Sequence, residues 1–147
     1  MHPADPDTKH TAINGTIAIV DDDPDISRAL GMWLEMFGLR AAQHGSGESL
    51  LHDLSQQDGR LTVHFSPRQA APVLLLGAVI DLNLPGISGI ELAQTLRRLM
   101  PDLPMVIITA LHEGERQRFG PAPPGVQCLK KPFDLGVLED ALFPMLH

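Results

Sequence analysis

Eight consecutive residues, from Val73 to Ile80, carry neither charge nor a hydrogen-bonding side chain, and the run stops abruptly at a carboxylate, Asp81. A stretch of this kind has to be buried on both faces. It falls well short of the roughly 18 apolar residues that would suggest a membrane helix. A strand inside a parallel sheet, with helices packed on both sides, reads as a continuous apolar run of this length. Gly77 marks a bulge or boundary within it. Pro85-Gly86 then turns the chain, and Ile90, Ala93, Leu96 and Met100 follow at helical spacing until Pro101 ends the helix. In open α/β sheets the chemistry lies just outside the carboxyl ends of the strands. Asp81 stands at such an end.

The rest of the chain repeats the same grammar. Thr16 to Val20 reads as a first buried strand, followed by Asp23 as an N-cap and Pro24 at the first helical position. Ile26, Leu30, Trp33, Leu34 and Phe37 form one helix stripe, and Gly38 is placed to end it in a left-handed conformation. Leu39 to Gln43 is a second strand, and Ser46 caps a short helix through about Leu54. The pattern then breaks until Pro72, although Leu61, Val63 and Phe65 alternate with Thr62 and His64 like a half-buried hairpin arm. Met105 to Thr109 is a fourth strand, Leu111 to Phe119 a short helix that the Pro-rich stretch 120–125 prevents from continuing, and Val126 to Leu129 a last strand. Asp134 caps a final helix that buries Leu135, Leu138, Leu142 and Phe143.

Five strand–helix alternations predict an α/β, flavodoxin-like doubly wound domain: a five-stranded parallel sheet, order 2-1-3-4-5, with helices on both faces. Residues 1–14 are expected to be a flexible tail, and 15–147 one domain with an insertion at about 55–72. A formal charge of −7 argues against a nucleic-acid partner. One cysteine, Cys128, excludes an internal disulfide and suits a reducing compartment. With no membrane-length apolar run and no signal peptide, the expected location is cytoplasmic. His44, His52, His64 and His112 show no ligand spacing and read as surface or core residues.

The polar residues at the strand ends share one rim. Asp21 and Asp22 close the first strand, Asp81 the central one, Thr109 the fourth, and Lys131 lies just past the fifth. Three crowded carboxylates repel one another, and a hard divalent cation resolves the repulsion. Mg²⁺ would leave Asp81 neutral enough for a phosphoryl group to approach. Lys131 offers a point charge, and the Thr109 hydroxyl a hydrogen bond, to such a group. The set is that of an aspartate accepting a phosphoryl group.

The segments Ile19-Val20-Asp21-Asp22-Asp23, Asp81 to Gly86, Ile108-Thr109-Ala110 and Lys131-Pro132-Phe133 together resemble the four signatures of response-regulator receiver domains, over most of the chain. The resemblance implies phosphorylation of Asp81 by a histidine kinase, a phosphotransfer protein or a small phosphodonor. It also implies Mg²⁺ held by Asp22, by Asp21 largely through water, by Asp81 and by the backbone carbonyl of Asn83. Thr109, Ala110 and Lys131 would receive the phosphoryl group, and the Lys131-Pro132 bond would be cis. The domain would switch a surface for a downstream protein target, a homodimer being one form, and would catalyse only its own phosphoryl transfer and loss. Two features depart from the family pattern. Asp22 and Asp81 are 59 positions apart, a longer interval than the family's. Cys128 stands where the family places an aromatic residue, which puts aromatic-coupled signalling in doubt. Two other readings compete: a Mg-dependent phosphohydrolase with an aspartyl-phosphate intermediate, which Asn83 disfavours by replacing the second aspartate, and an interaction module that no longer cycles. No output domain follows His147, which fits either a stand-alone regulator or a piece of a longer chain.

Overall fold

Alternation begins at once. β1 (Gly15–Val20), α1 (Pro24–Glu35), β2 (Arg40–His44) and α2 (Gly47–Asp53) lead into a hairpin, β3 (Leu54–Gln57) and β4 (Arg60–Val63). β5 (Val73–Asp81), α3 (Gly89–Leu99), β6 (Met105–Thr109), the single turn α4 (Glu113–Arg116), β7 (Gln127–Lys130) and α5 (Leu135–Leu142) follow. The computed structural model describes residues 15–64 and 71–143, so the expected tail 1–14 and Phe65 lie outside the described residues.

Five strands pair in parallel in the spatial order β2-β1-β5-β6-β7, which is 2-1-3-4-5 when only these are counted. The hairpin raises the sheet to seven strands. β4 runs antiparallel along Val73 and Leu74, at the amino end of β5, while β6 takes the same edge from Ala78 to Asp81. The alternation of Leu61 and Val63 with Thr62 and His64 reflects burial of the two apolar side chains. β3 (Leu-Ser-Gln-Gln) has no apolar period and leaves no pattern in the sequence. Asp58 and Gly59 form the turn between the arms, with φ of 53° and 78°, the positive values that a two-residue hairpin turn demands. In β5, Leu75 and Gly77 pair with the successive residues Thr16 and Ile17, so the bulge foreseen at Gly77 falls at Leu76 beside it.

Successive side chains of the sheet point to opposite faces, which gives two cores. Ile17, Ile19, Val79, Val106 and Ile108 pack with Leu30 and Leu34 of α1 and Leu138 and Leu142 of α5. Ala18, Val20, Ala78, Ile80 and Ile107 pack with Leu50 of α2, Leu92 and Leu96 of α3, and Leu61 and Val63 of the hairpin. α1 begins as its sequence dictates: the Asp23 carboxylate accepts from Asp25 N–H at 2.9 Å, and Pro24 follows at the first position. It ends at Gly38, φ 76°. Trp33 and Phe37 meet edge to face at 5.3 Å and pack on Phe143, so the indole is absorbed by the helix pair. Leu135 departs from expectation. It is 44% exposed, because it opens α5 at the rim and lines a groove against α1 instead of the sheet.

Candidate functional site

The carboxyl ends of β1, β5, β6 and β7 meet at one edge, and backbone register sets their heights. Asp81 pairs with Ile108, Ile108 with Leu129, and Thr109 with Lys130. The Lys131 N–H continues the ladder to Thr109 O at 2.6 Å. On the other side, Val20 pairs with Ile80, so Asp21 emerges level with Asp81.

Asp21, Asp22 and Asp81 each bring a carboxylate oxygen within 4.8 Å of the other two. Asp21 and Asp81 are buried, and Asp22 is exposed. The Lys131 ammonium lies 3.1 Å from Asp21 Oδ2 and 3.6 Å from Asp81 Oδ2. The Lys131–Pro132 bond is cis, as the resemblance to receiver domains implies. Backbone donors orient the acids: Asp23 N–H bonds Asp21 Oδ1 at 2.9 Å and Asn83 N–H bonds Asp81 Oδ1 at 3.3 Å. Burial is the main cause that pushes the Asp81 carboxyl up from 3.8 to about 6, with the negative charge of Asp21 adding to it. Lys131 and the Asn83 N–H pull the other way without cancelling this. Three carboxylates gather here and Lys131 contacts only two of them, Asp21 and Asp81, while every candidate ligand atom is a hard oxygen. The set therefore fits a hard divalent cation, which would relieve the charge imbalance.

Thr109 is fully buried at the end of β6, and its hydroxyl accepts from Leu111 N–H at 3.0 Å, an ST-type turn that ties it to its own loop. Ala110 is exposed beside it, as is Asn83 in the loop after β5. Cys128 pairs with Ile107, below the rim, so it does not join the carboxylates. It is half-buried and lines a cavity of about 270 Å³ under α4 with Leu82, Ile90 and Arg116.

Three residues that support this rim left little or no sequence signal. Ser27, in α1, donates to Asp21 O at 3.4 Å. Gly89 lets α3 start against the end of β5: a Cβ there would overlap Asp81 O and stand 2.8 Å from Leu82 Cα. Glu48, in α2, accepts from Ile87 N–H at 3.0 Å across 39 positions. Ser88 and Glu91 form a capping box that fixes the start of α3; the sequence expectations do not include this pair, although its Ser-x-x-Glu spacing is the signal that finds it.

A family model described as the response regulator receiver domain matches residues 69–143. The transcriptional regulatory protein FixJ of Rhizobium meliloti is 29% identical over 135 residues, covering 86% of this chain and 54% of that protein. The response regulator receiver protein CpdR of Brucella abortus is 28% identical over 130 residues, covering 88% of this chain and 95% of that protein. The chain thus spans about half of the first relative and nearly all of the second. A solved response regulator receiver protein from Sinorhizobium medicae superposes with a TM-score of 0.67 at 22% identity, covering 90% of this chain and 94% of that one, a likeness of fold. Among the described residues no helix is long and apolar enough to cross a membrane.

Proposed function

Because the chain belongs to the response regulator receiver domain family, in which phosphorylation on aspartate is typical, we propose that its own acceptor is Asp81 and that the surrounding rim is built to receive a phosphoryl group there. Receiver domains are signalling modules of two-component systems, not classical enzymes. The observation that carries the proposal is the contact of one ammonium, Lys131, with both Asp21 and Asp81 beside the third carboxylate of Asp22.

The Asp81 carboxylate attacks phosphorus as a new O–P bond forms. The donor's P–N bond to a histidine, or the P–O bond of a small acyl phosphate, breaks, and the leaving group takes its electron pair. Lys131 turns from its two carboxylates to pair with one phosphoryl oxygen. Thr109 gives up its bond from Leu111 and donates to another, and Ala110, being small, leaves the approach open. Asp22, Asp81 and the Asn83 carbonyl would hold Mg²⁺, with Asp21 reaching it largely through water, and the ion would supply the positive charge that such a transfer needs. Withdrawal of Thr109 from Leu111 changes the loop between β6 and α4, and that change is the signal to a downstream protein. With Cys128 in place of an aromatic side chain, the signal runs through this loop and not through an aromatic rotamer.

The phosphodonor is a histidine kinase or phosphotransfer protein, and the setting is the cytoplasm. A groove of about 410 Å³ opens beside Lys131 between Ile26, Ala29, Phe133 and Leu135, and gives the donor an apolar seat next to the acceptor. The stretch at about 55–72 is an insertion; its hairpin is seated at the amino end of β5, away from the carboxyl rim, and leaves the chemistry intact. Acetyl phosphate with Mg²⁺ should add one phosphoryl group to the protein by intact mass, and Asp81→Asn should abolish the adduct. A folded, Mg²⁺-bound wild type that gains no adduct would sink the proposal.

A further inference from the structure

We propose that Glu48, in the first turn of α2, is a positioning residue for the cation site, because its carboxylate holds the loop that carries Asn83. The inference rests on the reading of Asp21, Asp22, Asp81 and Asn83 as the ligand set.

The loop leaves β5 at Asp81 and ends at Ser88. Its near end is fixed, since Leu82 N–H donates to Ile108 O at 2.9 Å and Gly89 N–H to Leu82 O at 2.8 Å. Its far end is fixed by the reciprocal bonds of Ser88 and Glu91. Between them Asn83, Pro85 and Gly86 are exposed. Glu48 Oε2 ties this stretch down by accepting from Ile87 N–H at 3.0 Å, and a bond to an ionised acceptor is stronger than a neutral one. The two segments also interlock. Gly86 has φ 76°, and a Cβ there would overlap the Glu48 carboxylate, standing 2.7 Å from Oε1. Across the same seam, a Cβ on Gly47 would stand 2.7 Å from the Ile87 side chain. α2 has its own cap, Ser46, whose hydroxyl accepts from Ser49 N–H at 3.1 Å. The Glu48 carboxylate is spent on the neighbouring loop, not on its own helix. Outer groups that fix a ligand's position commonly govern the affinity of a metal site. Of the four ligands only Asn83 rides on this loop, so loosening the tie weakens the site without abolishing it.

Mg²⁺ titration of metal-free protein by calorimetry, with circular dichroism to verify folding, tests this. Glu48→Ala should weaken Mg²⁺ binding about tenfold, the low end for loss of an outer support. Gly86→Ala should match it, because the added methyl displaces the carboxylate. Glu48→Gln keeps an acceptor oxygen and should lose about threefold or less. Ser46→Ala, which removes the α2 cap and leaves Glu48 in place, should lower stability and keep wild-type affinity. Wild-type affinity in folded Glu48→Ala overturns the proposal. So does a loss in Ser46→Ala equal to that in Glu48→Ala, since affinity would then follow helix stability alone. A wild type that binds no Mg²⁺ overturns the reading of the ligand set as well, whereas a binding wild type with an unaffected Glu48→Ala overturns this inference alone.

Discussion

Asp81→Asn should make the metal-free protein more stable, although it removes the acceptor. The folded protein raises the Asp81 carboxyl from 3.8 to about 6, chiefly by burial and then by the charge of Asp21. At about 1.4 kcal/mol per tenfold, a displacement of that size amounts to roughly 3 kcal/mol of penalty on the ionised form. Solvent at the open rim screens part of it, so about 1–2 kcal/mol is the working figure. Asparagine has nearly the same shape and no charge, and Lys131 keeps its closer partner, Asp21, at 3.1 Å. The sign follows from proton linkage. Folded Asp81 binds its proton more tightly than the unfolded chain does, so its contribution is fully present below 3.8 and is lost as pH rises through about 6. The advantage of the variant should therefore be small near pH 4 and fully developed by about pH 8. Thermal unfolding by circular dichroism in EDTA reads this directly. At about pH 8 the variant should melt roughly 3–8 °C above wild type, and saturating Mg²⁺ should shrink the gap by stabilising wild type more. An Asp81→Asn protein no more stable than wild type at that pH, or an advantage that persists unchanged near pH 4, would refute the reasoning.

Lys131→Met should raise the Asp81 titration midpoint above about 6, since Lys131 is the cation that lowers it; carboxyl-carbon NMR of the metal-free protein reads the shift. Ser88→Ala breaks the capping box of α3 and should cost about 1 kcal/mol in urea unfolding; because it also frees the far end of the loop that carries Asn83, it should keep full phosphoryl adduct only at saturating Mg²⁺. Gly59→Val forces a β-branched residue to φ 78° in the hairpin turn and should cost about 1–3 kcal/mol; an altered adduct yield in the folded variant would contradict the separation of hairpin and rim. Leu34→Ala, in the α1–α5 core where Leu34 is fully buried, should cost about 2–5 kcal/mol by denaturant titration.

Much of this was legible because burial and chemistry coincide along the chain. The run ending at Asp81 is apolar because β5 is covered on both faces, and that same coverage drives the carboxyl upward. Asp23, Pro24 and Gly38 announced α1 because caps depend on local backbone geometry. β3 was not legible. Its residues, Leu-Ser-Gln-Gln, are held by pairing with β4 and by Gln56, which donates to Leu99 O at 3.1 Å. Its one local signal, Asp58-Gly59, lay inside a stretch read as irregular. Leu135 was assigned to the core because periodicity reports a helix face and not how far along the helix the sheet extends. At the rim, Asp21, Asp22, Asp81 and Lys131 could be brought together from topology alone, since parallel strands deliver their ends to one edge. Glu48 could not, because its contact with Ile87 spans two separate crossovers and depends on two glycines that look like ordinary turn residues.

The central claim is that Asp81 itself carries the phosphoryl group. Borohydride reduction converts an aspartyl phosphate to homoserine, so protein treated with acetyl phosphate and Mg²⁺, reduced and mapped by peptide mass spectrometry, should show homoserine at position 81 and at no other aspartate. Homoserine at Asp21 or Asp22 instead, or an unmodified Asp81 in protein shown to be folded and Mg²⁺-bound, would contradict the account.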